Sequence, residues 1–199
     1  MGQYFDNDLS LDNNPIDIYF QINSRPFHFT SLPGVFSNKH LDMGSRLLIE
    51  QVLKLNLTGK VLDLGCGYGV IGLTILAFKP HCVLTCADIN ERACVCTRTN
   101  ANSMKLSVSG IVVSDGFANI PDLFDFIILN PPIRAGKKVI YPMFLEAQQH
   151  LNENGSLIIV IRKDQGAISA HRYITDIFGN GELLSRDRGY HIYQYIKRS

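Results

Sequence analysis

From about residue 60 onward the chain alternates short apolar runs with longer segments of helical period. KVLDLG (60–65), VLTCADI (83–89), SVSGIVVS (107–114), FDFIILN (124–130) and GSLIIVIRK (155–163) read as strands. Their near-continuous apolar character marks strands buried on both faces. Between them VIGLTILAF (70–78), NERACVCTRTNANS (90–103), VIYPMFLEAQQHLN (139–152) and AISAHRYITDIFG (167–179) predict helices. Strands and helices alternating at this spacing imply a parallel sheet with helices on both faces, an α/β fold. The tail breaks the alternation. GELLSRD (181–187) and YHIYQYI (190–196) flank Gly189 with no helix between them, which predicts an antiparallel hairpin on the sheet edge.

Before residue 60 the pattern is less regular. DIYFQIN (17–23) and PFHFTS (26–31) predict a hairpin turning near Ser24, Arg25 and Pro26. LDMGSRLLIEQVLKL (41–55) predicts an amphipathic helix with Leu47, Leu48, Val52 and Leu55 on one face. This part is too short for a core of its own and reads as a lid or extra layer. The expected organisation is one domain over 1–199, with 1–57 as extension and lid and 58–199 as the main body.

Two loops interrupt the pattern with residues that carry chemistry. DLGCGYGVIG (63–72) joins the first strand of the main body to its helix, and Gly65, Gly67 and Gly69 let the backbone bend sharply and approach a ligand. Nineteen residues past Gly69, Asp88 ends the second strand, where a carboxylate can accept both hydroxyls of a ribose. Gly67, Gly69 and Gly72 also satisfy the dinucleotide pattern G-x-G-x-x-G. A pyrophosphate there would meet the charge of Asp63, which suits a cationic ligand better. Asp115, after the third strand, adds a carboxylate able to accept from an adenine amino group. Acidic groups at three strand ends fit a ligand with sulfonium, ammonium, ribose and adenine, which is S-adenosylmethionine.

The second loop is LNPPIRAG (129–136). Pro131 and Pro132 cannot continue a ladder and hold Asn130 in a stiff, extended turn at the carboxyl end of a buried strand.

Composition narrows the class. A chain of 199 residues that is 46% hydrophobic supports a sizeable core, and no segment approaches the length of a membrane span. The polar, acidic start MGQYFDNDLSLDNN has no signal-peptide h-region, so a cytoplasmic protein is expected. Five cysteines include the cluster Cys82, Cys86, Cys94 and Cys96, without a C-x-x-C or a trailing His pair. They read as reduced, mostly buried thiols, with no metal expected. Net charge is +1, against a strongly basic nucleic-acid module. The charge is uneven, however. Residues 1–133 carry 9 basic and 12 acidic groups, and residues 134–199 carry 10 and 6. The basic part starts with Arg134, Lys137 and Lys138, directly after the proline turn, where it could form a phosphate-contacting rim.

The D-x-G-x-G-x-G turn followed by N-P-P-I resembles the class I S-adenosylmethionine-dependent methyltransferases that modify amino groups. NPPIRAGKK (130–138), GVFSNKHLDMGSRLLIE (34–50), ADINERA (87–93) and RKDQGA (162–167) are similar to the bacterial 16S ribosomal RNA guanine-N2 methyltransferases. The resemblance runs from about Tyr4 to the end. It implies a Rossmann-like seven-stranded sheet of order 3-2-1-4-5-7-6 with the seventh strand antiparallel. It implies that Asp63, Gly65, Cys66, Gly67, Asp88, Ile89, Asp115, Gly116 and Asn130 hold the cofactor. The Asn130 side chain and the Pro131 carbonyl, stiffened by Pro132, would accept from the target amine. Ile133, Arg134, Lys137, Lys138 and Phe36 would contact substrate, and Phe36, Ser37 and Asp42 fall in the segment that closes over the methionine part. The implied partner is 16S ribosomal RNA or the 30S particle. Some members carry an additional degenerate methyltransferase domain that helps bind RNA, and no part of this sequence matches it. Ile133 stands where many adenine and glutamine amino-methyltransferases carry Tyr or Phe. Those substrates count as rivals, as do a non-catalytic RNA-binding module and a nicotinamide oxidoreductase.

Overall fold

The computed structural model describes residue 12, residues 14–37 and residues 39–198, with Arg134 in its backbone only. An antiparallel hairpin comes first, β1 (Ile16–Ile22) and β2 (Arg25–Ser31). Its turn differs from the expected one. Asn23 and Ser24 occupy the two turn positions with φ of 47° and 64°, while Arg25 and Pro26 already pair with Ile22 and Gln21. A two-residue turn of the type I′ class needs positive φ at both positions, which Asn tolerates and proline cannot adopt. Period-two alternation puts Ile18, Phe20, Ile22, Phe27 and Phe29 inside.

Helix α1 (Met43–Val52) follows and buries Leu47, Leu48, Ile49 and Val52. The main body then runs β3 (Lys60–Leu64), α2 (Val70–Phe78), β4 (Val83–Asp88), α3 (Glu91–Ser103), β5 (Gly110–Val113) and β6 (Phe124–Leu129). A short 3-10 turn (Ile133–Ala135) leads into α4 (Lys137–Gln149) and β7 (Leu151–Arg162). A second such turn (Lys163–Gln165) leads into α5 (Ala167–Phe178), β8 (Glu182–Asp187) and β9 (Tyr190–Ile196). The seven later strands form one sheet of order β5-β4-β3-β6-β7-β9-β8. β3 to β7 are parallel, and β9 lies antiparallel between β7 and β8. Counted within the sheet, this is the 3-2-1-4-5-7-6 order with a reversed seventh strand.

Alternate residues of each strand face opposite clusters. Val61, Leu84, Ile128 and Ile158 join α2, α3, α1 and the hairpin in one core. Leu62, Ile127, Leu129, Ile159 and Tyr195 join α4 and α5 in the other. The hairpin and α1 therefore form an added layer that shares the main body's core. β7 begins at Leu151, four residues before the expected start, so the predicted helix end at 151–152 is already strand. β5 is shorter than expected and covers only Gly110–Val113.

One buried polar side chain joins this layer to the glycine turn. Asn100 on α3 accepts from the Thr30 N–H at 2.8 Å and donates to the Thr30 and Tyr68 carbonyls, each at 2.8 Å. With Asn100 almost fully buried, water cannot replace these bonds. Asn100→Leu is expected to lower stability by about 2 to 4 kcal/mol, because it leaves three backbone groups unpaired. Urea unfolding gives the check; a loss under about 0.5 kcal/mol, the range of a neutral surface change, would show the bonds to be dispensable.

Candidate active site

Strand register brings both unusual loops to one edge of the sheet. Leu64 pairs with Ala87 on one side and with Leu129 on the other. Gly65, Asp88 and Asn130 therefore leave the sheet at the same level. With neighbouring strands about 4.8 Å apart, Asp88 and Asn130 flank the glycine turn at about 10 Å from each other.

The turn is built by local bonds and supported from α3. Gly65 and Cys66 N–H groups donate to the Ala87 carbonyl, and Gly69 N–H donates to the Cys66 carbonyl. Thr97 Oγ1 donates to the Gly67 carbonyl at 2.9 Å. Gly65 and Gly67 have φ of 71° and 57°, and no described atom lies within 4 Å of where a Cβ would sit on either. The backbone is thus open to a ligand along this stretch. Cys66 turns its thiol into the core beside Thr97, and its hydrogen bond with Cys86, reinforced by burial, pushes that thiol well up. All five cysteines are buried and unbridged.

Asp88 points its carboxylate at this turn. Oδ2 accepts from the Gly67 N–H at 2.8 Å and Oδ1 from the Asn90 N–H at 2.9 Å. Desolvation raises its pKa while these N–H groups act to lower it. Each oxygen keeps a lone pair for a hydroxyl donor. Asp63 lies fully buried beneath the turn. Its Oδ2 accepts from the Gly72 N–H at 2.8 Å, and Oδ1 has no partner among the described residues. Burial pushes its pKa up to about 7, opposed by the Gly72 N–H and assisted by the nearby Asp88 charge. A buried carboxylate with one orphaned oxygen is a site that favours a cation.

On the far side of β3, Asn130 follows β6. Its Nδ2 donates to Asp42 Oδ2 at 3.1 Å and to Ser45 Oγ at 3.0 Å. Pro132, at φ −74° and ψ 72°, makes an inverse γ-turn in which Ile133 N–H donates to the Pro131 carbonyl at 2.8 Å. That carbonyl retains its second lone pair for a further donor. Ile133 is half-buried at the start of the 3-10 turn, and Gly136 at φ 86° and ψ 165° redirects the chain into α4. Lys137 and Lys138 are exposed on the first turn of α4, with Lys137 Nζ 5.7 Å from the Tyr141 ring centroid. No acidic residue lies in that turn, so two cations reinforce the positive end of the helix. The side chain of Arg134 lies outside the described residues.

Ile89, Asp115 and Gly116 lie on the Asp88 side. Ile89 is half-buried directly after Asp88, while Asp115 is exposed two residues past β5, followed by Gly116 at φ 52°. Phe36 is half-exposed in a loop that α3 holds in place. Asn90 Nδ2 donates to the Gly34 carbonyl at 3.1 Å and Arg92 Nε to the Pro33 carbonyl at 3.2 Å. These bonds tie Pro33 and Gly34, just before Phe36, to the start of α3. Sequence reasoning missed Ser45, Asn90, Thr97 and Asn100, whose partners lie far away in the chain. Only Asn90 carried a local signal, as a helix N-cap before Glu91.

Residues 26–194 match the family model described as the methyltransferase small domain. The chain belongs to that family. Among relatives of this methyltransferase chain, the uncharacterized protein YbxB of Bacillus subtilis (strain 168) is 38% identical over 191 residues, covering 95% of each. Ribosomal RNA small subunit methyltransferase C of Vibrio parahaemolyticus is 37% identical over 176 residues, 85% of this chain and 49% of that protein. The chain thus spans about half the length of the methyltransferase C relatives it matches. Among solved structures, the Thermus thermophilus 16S rRNA N2 G1207 methyltransferase, in complex with AdoMet and guanosine, superposes with a TM-score of 0.83 at 23% identity. The match covers 95% of this chain and 51% of that one. The sheet, its strand order and its helices are those of the class I S-adenosylmethionine-dependent methyltransferase fold. No helix among the described residues is long and apolar enough to cross a membrane.

Proposed function

We propose that this methyltransferase takes S-adenosylmethionine at the glycine turn and methylates the exocyclic N2 amine of a guanine in 16S ribosomal RNA. The observation that carries the reading is the placement of two sites across β3. A cradle of open glycines with Asp63 and Asp88 stands on one side, and the rigid Asn130-Pro131-Pro132 turn stands on the other. The names of the methyltransferase C relatives support the RNA substrate.

The residues fit the cofactor by charge and shape. Asp88 would hold the ribose hydroxyls, and the orphaned oxygen of Asp63 favours the positive methionine end. Bound S-adenosylmethionine supplies an electrophilic methyl group carried on a sulfonium. The chain's own task is to present the amine. A guanine N2 lone pair is delocalised into the ring, so the amine is a weak nucleophile. Asn130 Oδ1 and the Pro131 carbonyl would accept its two hydrogens, favour a pyramidal nitrogen and stabilise the positive charge that develops there. The prolines fix both acceptors before substrate arrives, so little ordering remains for the transition state.

The direct test incubates the protein with methyl-labelled S-adenosylmethionine and, separately, 30S particles, naked 16S RNA, DNA and protein. Label recovered as N2-methylguanine from 16S RNA is expected. Label on adenine or glutamine would move the substrate, and S-adenosylmethionine binding with no transfer to any pool would favour a binding module. The 30S arm separates an assembled particle from naked RNA.

A target base must leave its stack to reach the Asn130 turn, and its flanking phosphates need holding meanwhile. Lys137 and Lys138, with Arg134 before them, stand beside that turn. Replacing Lys137 and Lys138 together with Gln is expected to weaken RNA binding for every sequence and lower the salt slope by about one to two. Saturating RNA should restore most of the turnover. An unchanged salt slope would place the phosphate contacts elsewhere.

A further inference from the structure

We propose that Asp42 and Ser45 are positioning residues that lock the side-chain amide of Asn130 with its oxygen toward the substrate amine; this rests on the methyl-transfer reading above. A carboxylate only accepts, so the Asn130 atom 3.1 Å from Asp42 Oδ2 has to be the nitrogen. Its second hydrogen goes to Ser45 Oγ at 3.0 Å. Both amide donors are thereby consumed, and Oδ1 remains as a pure acceptor.

An unclamped asparagine can turn its amide by half a rotation and offer NH2 instead of oxygen. Against a target NH2 that would set donor against donor and stall the reaction. The clamp removes this wrong orientation. The negative charge behind the amide also draws its N–H bonds toward Asp42 and pushes electron density onto Oδ1, which strengthens acceptance from a nitrogen becoming positive.

Asp42 is itself held. It is the N-cap of α1, at φ −60° and ψ 140°, and the same Oδ2 accepts from the Ser45 N–H at 2.8 Å. One oxygen therefore caps the helix and grips the amide. α1 packs against β7 and β9, so its first turn is fixed relative to the end of β6. The N-terminal layer completes the catalytic turn from 88 residues away in the chain.

Asp42→Ala and Ser45→Ala are the test pair, since Ser45→Ala leaves the capping carboxylate in place and guards against loss of α1. Each is expected to lower kcat about tenfold to a hundredfold, as for a misplaced reacting group, with cofactor affinity nearly unchanged. Asp42→Asn, which still caps and still offers an oxygen, should recover most of the rate. In an Asn130→Ala background neither alanine should cost more, because the amide they orient is gone. In 15N-labelled protein the Asn130 side-chain hydrogens should exchange slowly, and fast in Asp42→Ala. Unchanged kcat in both alanine variants overturns the proposal, and so does a full additional loss in the Asn130→Ala background. Protected Asn130 hydrogens without any RNA methylation would leave the clamp standing and remove the substrate reading. RNA methylation with unprotected hydrogens would do the reverse.

Discussion

Replacing Asn130 with alanine is expected to cut methyl transfer roughly a hundredfold or more, the scale seen when one preorganised hydrogen-bonding group is removed from a transition state. Affinity for the methyl donor should stay within about twofold, because the change removes an interaction made mainly in the transition state. The backbone of the turn is set by Pro131, Pro132 and the Ile133 N–H, none of which needs the asparagine side chain. Stability should fall by about 1 to 3 kcal/mol, the worth of the part-buried bonds to Asp42 and Ser45. Single-turnover rates beside thermal unfolding separate the two effects. If rate and stability fall together, with the protein partly unfolded at assay temperature, Asn130 belongs to the fold and not to the chemistry.

Asp63→Asn is expected to act in opposite directions on stability and on cofactor affinity. The folded carboxyl titrates near pH 7 against 3.8 for the unfolded group. Below pH 3.8 both states are protonated and the group costs nothing. Between 3.8 and about 7 the unfolded chain ionises first, so the folded state loses ground as pH rises. Above about 7 the full penalty remains, about 4 kcal/mol. Asparagine carries no such penalty and keeps an oxygen for the Gly72 N–H, but places an unpaired N–H where Oδ1 had no partner. The net expectation is a gain of about 1 to 3 kcal/mol at pH 8, shrinking toward pH 4. S-adenosylmethionine, whose ammonium would sit by this carboxylate, should bind the variant at least tenfold more weakly, about 1.4 kcal/mol. Wild type should also release close to half a proton on binding near pH 7, read by calorimetry in two buffers, and Asp63→Asn none. Equal affinity and equal proton release would take Asp63 out of the cofactor site.

The parallel sheet was legible because buried parallel strands leave apolar runs that no helix period explains. FDFIIL and LIIVI hold no polar residue that would force an exposed face, apart from Asp125 at the sheet's lower end. The glycine turn and the NPP turn were legible because each contains residues that no regular element accommodates. What stayed hidden is mostly long-range. The start of β7 is polar, with Asn152, Glu153 and Asn154 before Gly155, and Asn154 takes a φ of 63°. Nothing local distinguishes that stretch from a loop; pairing of Leu151 with Phe124 makes it strand. Pro26 drew the hairpin turn two residues too far, since proline suits many turns but not one that needs positive φ. Asp42 was legible as part of a family segment, yet its hold on Asn130 spans 88 residues, beyond any periodicity. The same is true of Asn100 and Thr30, 70 residues apart.

The position of β9 bears on how the chain avoids self-association. β7 and β8 do not pair with each other; β9 lies between them and satisfies both. Until it docks, one side of β7 is an open row of N–H and C=O groups along Leu157–Ile161, a run almost wholly hidden in the finished sheet and free of charge, Gly and Pro. Short segments of that composition recruit copies of themselves when exposed. Arg162 and Lys163 at its end are the nearest charges to oppose such growth. Loosening β9 would therefore show as precipitation or fibre growth that steepens with protein concentration.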